Sequence, residues 1–271
     1  MDNKRLKLYS WCGERLEEHL YETFKLYELN FEDRVLKILE GRLNNIFDDF
    51  SKLILRLTPL LHDIGKSYSG YQEKVREKCP FPGYKKCREC ADKPNFSWHE
   101  VLSAYLYWEL TERLIFNCGL ERFHEDLQVI SAISILTHHQ AMREPLTERP
   151  RKDVNLKKWE VETVSDLMFK LTDLACNGLK IDNSLLKENV EEVLRMVDID
   201  IKKRNHGLIN LCEMLERILY EKVHCKTKIY SVVAGSLVMC DWLAAKKLRK
   251  TTFIHPMLSE IMYSFPELKN L

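Results

Sequence analysis

The chain has 271 residues, long enough for one domain of generous size and too short for two large ones. With 45% hydrophobic and 31% charged residues it has ordinary globular composition, which excludes a disordered chain, a collagen-like repeat and a disulfide-packed miniprotein. Forty-two basic against 41 acidic side chains leave a formal charge of +1, which excludes a histone-like polycation but is silent on a local basic groove.

Glycine and proline are scarce, nine and eight, and apolar residues recur at three and four positions, so the pattern predicts an all-α protein of eight or nine helices. The N-terminus is charged and runs into helical sequence with no apolar core or cleavage site, so no secretory signal is expected and a cytoplasmic location is. Gly13 to Leu29 places Leu16, Leu20, Phe24 and Tyr27 on one stripe, and Phe31 to Leu55 continues in the same style. Ser67 to Phe96 breaks the pattern. Gly70, Pro80, Pro82, Gly83 and Pro94 interrupt a polar, lysine-rich stretch that cannot be one helix, and a loop-rich insertion is expected at about 67–97. Helical spacing returns at His99–Phe116, Asp126–Ala141, Lys157–Leu174, Val190–Met196, Gly207–Val223 and Ile229–Leu248, with a proline-containing loop at Glu144–Asn155. The most apolar stretch, Ile229–Ala245, falls short of the roughly 20 residues of a membrane span and carries Asp241, so it reads as a buried helix. No membrane partner is expected.

Nine cysteines, an odd number, read mostly as small buried hydrophobes in a reducing compartment. Cys79, Cys87 and Cys90 cluster in the insertion, and Cys87-Arg88-Glu89-Cys90 has knuckle spacing. They are candidate ligands of a structural zinc, whose fourth ligand would come from elsewhere, for example Cys118.

The most informative segment is Leu60-Leu61-His62-Asp63-Ile64-Gly65-Lys66, where an adjacent His-Asp pair follows an apolar run and is closed by a glycine suited to a helix C-terminus. Taken alone, the pair reads as an ion pair or a cap. Its company changes the reading. His19 borders the apolar face of the first helix, His99 opens an amphipathic helix, His138 and His139 close another, and Asp241 sits in the most apolar helix of the chain. An aspartate rarely enters an apolar environment without a partner, and a metal ion is one partner that offsets its desolvation.

The order His19, His62-Asp63, His99, His138-His139, Asp241 resembles the HD superfamily of metal-dependent phosphohydrolases. Within it, Leu16-Glu17-Glu18-His19, Leu61-His62-Asp63-Ile64-Gly65-Lys66, Trp98-His99-Glu100, His138-His139 and Cys240-Asp241-Trp242-Leu243-Ala244 resemble the HD nuclease of type I CRISPR interference systems, in its stand-alone form. Ala245 stands where that family often has serine. Pro59 precedes the end of the HD helix and suggests a kink.

The resemblance implies a single HD-domain helical bundle over 1–271 and a nuclease that cleaves single-stranded DNA in antiviral defence. A separate helicase subunit and a guide-RNA surveillance complex would be its partners. It implies two divalent ions. His19, His62, Asp63 and Asp241 would hold one, and Asp63, His99, His138 and His139 the other, with Asp63 as bridge. Three imidazoles at the second position favour manganese, nickel, cobalt or iron over magnesium. Asp63 and Lys66 are the catalytic candidates, Lys66 as a cation that neutralises phosphate charge; the alternative for Lys66 is a solvated lysine past a helix end.

Short basic clusters at Lys85-Lys86, Arg149–Lys152, Lys157-Lys158, Lys202–Arg204 and Lys246–Lys250, with Tyr84, Trp159 and Trp242 nearby, could line a path for single-stranded DNA or be solvated helix faces. Gly65-Lys66-Ser67 mimics a P-loop end, but Leu60 stands where that pattern needs glycine. His99-Glu100 begins like a zincin, but Ser103 replaces its second histidine. Alternative readings are a phosphohydrolase of nucleotides or cyclic nucleotides, an HD diiron oxygenase and an inactive binding subunit. The chain lacks the Gly-Tyr-Pro signature expected of a cyclic dinucleotide enzyme.

Overall fold

The computed structural model describes residues 7–79, 96, 98–120, 122–139, 161–203, 208–223 and 227–249. It is all-α apart from one small hairpin, with ten α-helices among the described residues.

The hairpin pairs β1 (Tyr9–Trp11) with β2 (Glu14–Arg15) through Gly13, whose positive φ of 76° suits a residue without a Cβ. α1 therefore begins at Leu16 rather than Gly13 and runs to Asn30, followed by α2 (Glu32–Leu43) and α3 (Asp49–Leu61). The continuous pattern expected from Phe31 to Leu55 is broken at Asn44, which adopts a left-handed conformation, and restarts where Asp48 caps α3 by accepting the Ser51 N–H at 2.8 Å. A 3₁₀ turn, Ile64–Ser67, leads into α4 (Ser69–Lys78), so a helix occupies the start of the segment expected to be loop-rich. Then follow α5 (His99–Asn117), α6 (Arg122–Thr137), α7 (Val161–Ala175), α8 (Asn183–Lys203), α9 (Leu208–Val223) and α10 (Thr227–Arg249).

α3 and α5 form the centre. Leu53, Ile54, Leu55, Leu57, Leu60 and Leu61 are all buried, so α3 is enclosed on every side, as is most of α5. α6 packs against both, α1 and α10 lie together along that layer, and α7 with α8 closes the opposite side. The one charge in the middle of α3, Arg56, is neutralised by a bidentate pair with Glu32 at 2.6 and 3.0 Å and by the carbonyls of Ala175 and Asn177. Pro59 lies inside α3, where it lacks an N–H for the Leu55 carbonyl, and the helix continues past it to Leu61.

α10 corrects an expectation. At 23 residues it is longer than the apolar stretch read from the sequence, and by length and composition Ile229–Arg249 could cross a bilayer, its apolar 18-residue window having a mean hydropathy of 1.3. Half of its apolar window is buried against the rest of the chain, chiefly α1 and α6. Cys79 ends α4 fully buried in the core, and Cys118 is partly buried after α5; Cys87 and Cys90 lie outside the described residues. The basic clusters at 85–86, 149–152 and 157–158 lie outside them too, as does the loop expected at 144–155.

Candidate metal centre

Five separate elements meet at Asp63. α1 supplies His19, the end of α3 supplies His62 and Asp63, the first residue of α5 is His99, the turn after α6 holds His138 and His139, and α10 brings Asp241. All seven residues that the sequence singled out converge. One ligand atom from each of Asp63, His99, His138 and His139 lies within 4.8 Å of the others, and the same holds for His19, His62, Asp63 and Asp241. Asp63 belongs to both groups. Six of the seven are buried, and His139 is half-buried.

Local chain geometry delivers this arrangement. Gly65 N–H donates to Ser103 Oγ at 2.9 Å, and a Cβ on Gly65 would stand 2.2 Å from the His99 carbonyl oxygen. Only a glycine lets the turn after Asp63 lie directly on the start of α5. Trp98, with φ 68°, holds a backbone conformation uncommon for an aromatic residue immediately before His99. Buried Gln72 of α4 ties the hairpin to the 3₁₀ turn: it accepts the Tyr9 N–H at 2.8 Å and donates to the carbonyls of Tyr9 and Lys66 at 2.9 and 2.6 Å.

The histidine rings are fixed by a repeated device. Nδ1 of His62, His99 and His138 lies 2.8, 2.6 and 2.6 Å from the carbonyl oxygen three residues earlier, of Pro59, Phe96 and Ile135. A carbonyl only accepts, so Nδ1 carries a proton and Nε2 is the nitrogen that faces inward, its lone pair available to a metal in the neutral ring. There the lone pairs meet carboxylate oxygens. His62 Nε2 lies 3.6 Å from both Asp63 and Asp241, His138 Nε2 3.4 Å from Asp63, and neither has a well-directed hydrogen bond. Acceptors facing acceptors in a buried site call for a cation, and this donor set of imidazoles and carboxylates fits divalent transition ions.

The charges around the cluster respond accordingly. Burial would raise the pKa of Asp63, but the Lys66 ammonium, then His62 and His99, outweigh it and hold the carboxyl well below the usual range. Asp241 is likewise held well below its usual value against burial, by His19 and His62. Burial would lower His19 and His138, yet Glu14 and the two aspartates hold His19 well above the usual imidazole value, and Asp63 raises His138. His139 goes the other way, pushed well below by burial and by His138 and His99, and burial lowers His62. The carboxylates thus favour a positive charge beside them, whether on an imidazole or on a bound ion.

Lys66 is not a solvated lysine. It is buried, its Nζ stands 2.5 Å from Asp63 Oδ2 and lies over the Phe96 ring at 5.5 Å. Of the basic cluster at 246–250, Lys247 pairs with Glu22 and Arg249 with Glu14, so two of its cations are engaged within the chain.

Sequence reasoning missed Glu14. It is buried, and it contacts His19 Nδ1 at 2.9 Å, the Ser10 hydroxyl at 2.5 Å and Arg249 at 2.6 Å. His19 and Arg249 pull its pKa down to about 2 against the opposing effect of burial. No local signal marks it among Glu17 and Glu18, which are nearer to His19 in the chain.

An all-α bundle with a His-Asp pair at the meeting point of five elements defines an HD domain, a metal-dependent hydrolase class. The family model described as Cas3, HD domain, matches residues 15–248, and the chain belongs to that family of HD nucleases of type I CRISPR systems. Comparison with the curated proteins and with the solved structures returns no match.

Proposed function

We propose that this protein hydrolyses phosphodiester bonds of single-stranded DNA with two divalent ions, as a single HD domain with a loop-rich insertion. The observation that supports it best is the pair of overlapping donor groups that share Asp63. His19, His62, Asp63 and Asp241 would hold one ion, and Asp63, His99, His138 and His139 the other. The ions would supply Lewis-acid activation of water near neutral pH and neutralise charge on the phosphodiester.

The remaining work falls to the protein. The carbonyls of Pro59, Phe96 and Ile135 accept from Nδ1 of three imidazoles and aim their Nε2 atoms inward, so the donors need little reorganisation. Lys66, fixed beside Asp63, is the cation placed to offset charge as the phosphodiester becomes more negative. His139 is the one member of the seven that is not fully buried, and the strand would approach on its side. A helicase subunit and a guide-RNA surveillance complex in the cytoplasm would deliver the unwound DNA.

The test is cleavage of circular single-stranded DNA by the purified chain, with manganese, nickel or magnesium restored after chelation. Since a circle has no ends, linear products establish internal cutting. We expect metal-dependent linear products that Asp63→Ala abolishes while retaining the helical circular-dichroism spectrum. A chain that binds two ions yet cuts no DNA with any metal would overturn the proposal in favour of a small phosphorylated metabolite.

A further inference from the structure

We propose that Glu14 is a positioning residue for the first ion, acting through His19 and held in place by Arg249; this rests on the two-ion reading above. His62, His99 and His138 each anchor Nδ1 on the carbonyl three residues back. His19 does not use that device. Its Nδ1 lies 2.9 Å from the Glu14 carboxylate and its Nε2 3.0 Å from Asp241 and 3.2 Å from Asp63, close charged contacts in which neither nitrogen makes a well-directed hydrogen bond. A carboxylate behind an imidazole fixes the ring and makes its far nitrogen a stronger donor than a carbonyl does.

Glu14 is itself built in. It comes from the hairpin, and its Oε1 accepts the Ser10 hydroxyl at 2.5 Å from the opposite strand. Arg249 donates Nε to Oε2 at 2.6 Å and Nη2 to Oε1 at 3.4 Å, and its guanidinium lies 5.0 Å from the Trp11 ring centroid. Arg249 ends α10, the helix that carries Asp241. One carboxylate therefore links the two helices that supply His19 and Asp241. Its charge is balanced by Arg249, so the site gains basicity at His19 without a surplus of buried negative charge.

Calorimetric titration of manganese into the chelator-treated 271-residue chain tests this. The wild-type protein should bind two equivalents. Glu14→Gln should weaken one of them by about 10- to 100-fold and leave the other unchanged. Because Glu14→Gln strands Arg249 as a half-buried charge, the double variant Glu14→Gln/Arg249→Met, which removes both charges, should show the same selective loss in a stably folded protein. Added to His19→Ala, Glu14→Gln should cost no further affinity, since its effect runs through that ring. Two equivalents at wild-type strength in the double variant, or equal weakening of both, would overturn the role of Glu14. Fewer than two equivalents in the wild-type protein would overturn the two-ion reading, and this inference with it.

Discussion

Asp63 carries its charge where water does not reach, and what surrounds it decides whether the fold tolerates that. An isolated buried carboxylate would take up a proton; here Lys66, 2.5 Å away, and four histidines keep it ionised. Lys66→Met removes the closest cation and leaves the carboxylate, so the metal-free protein should lose about 3 kcal/mol in urea unfolding. Manganese should restore more stability to the variant than to the wild-type protein, since it replaces a missing charge. Equal stabilities without metal would show that Lys66 is not the counter-charge. The seven metal-capable residues were legible because histidine and aspartate stand out at the edge of apolar runs. Glu14 and Arg249 were not, because their meaning lies in a contact between positions 235 apart.

Elements place those residues, and the joints matter more than the helices. Helical periodicity in the sequence located most of the helices because it reflects burial of one face. It overran at Asn44, where a left-handed residue ends α2, and it missed α4, whose inward residues include Gln72, a buried amide that no apolar pattern registers. The turn after Asp63 is the tightest joint. Gly65→Ala would place a Cβ 2.2 Å from the His99 carbonyl, which can be relieved only by moving the turn away from α5. The variant should lose about 2 kcal/mol or more, as overpacked cores do. It should also weaken the manganese equivalent that depends on both Asp63 and His99. Wild-type stability and two unchanged equivalents would show that the turn has room to give.

At the scale of the molecule, two central helices, α3 and α5, hold the His-Asp pair and His99, while α1, α10 and the end of α6 bring the remaining donors. The all-α class and the family were readable from motifs spread over most of the chain, and the family match over residues 15–248 agrees with them. Convergence was not readable, because it depends on how five elements far apart in sequence cross. The central claim is that this crossing builds two ion positions with Asp63 between them. Anomalous diffraction at the manganese edge, from crystals of the chelated protein soaked in manganese, tests it directly. The account predicts two peaks roughly 3.5 to 4 Å apart, one beside His19, His62 and Asp241 and one beside His99, His138 and His139, with Asp63 touching both. A single peak, or peaks away from Asp63, would contradict it.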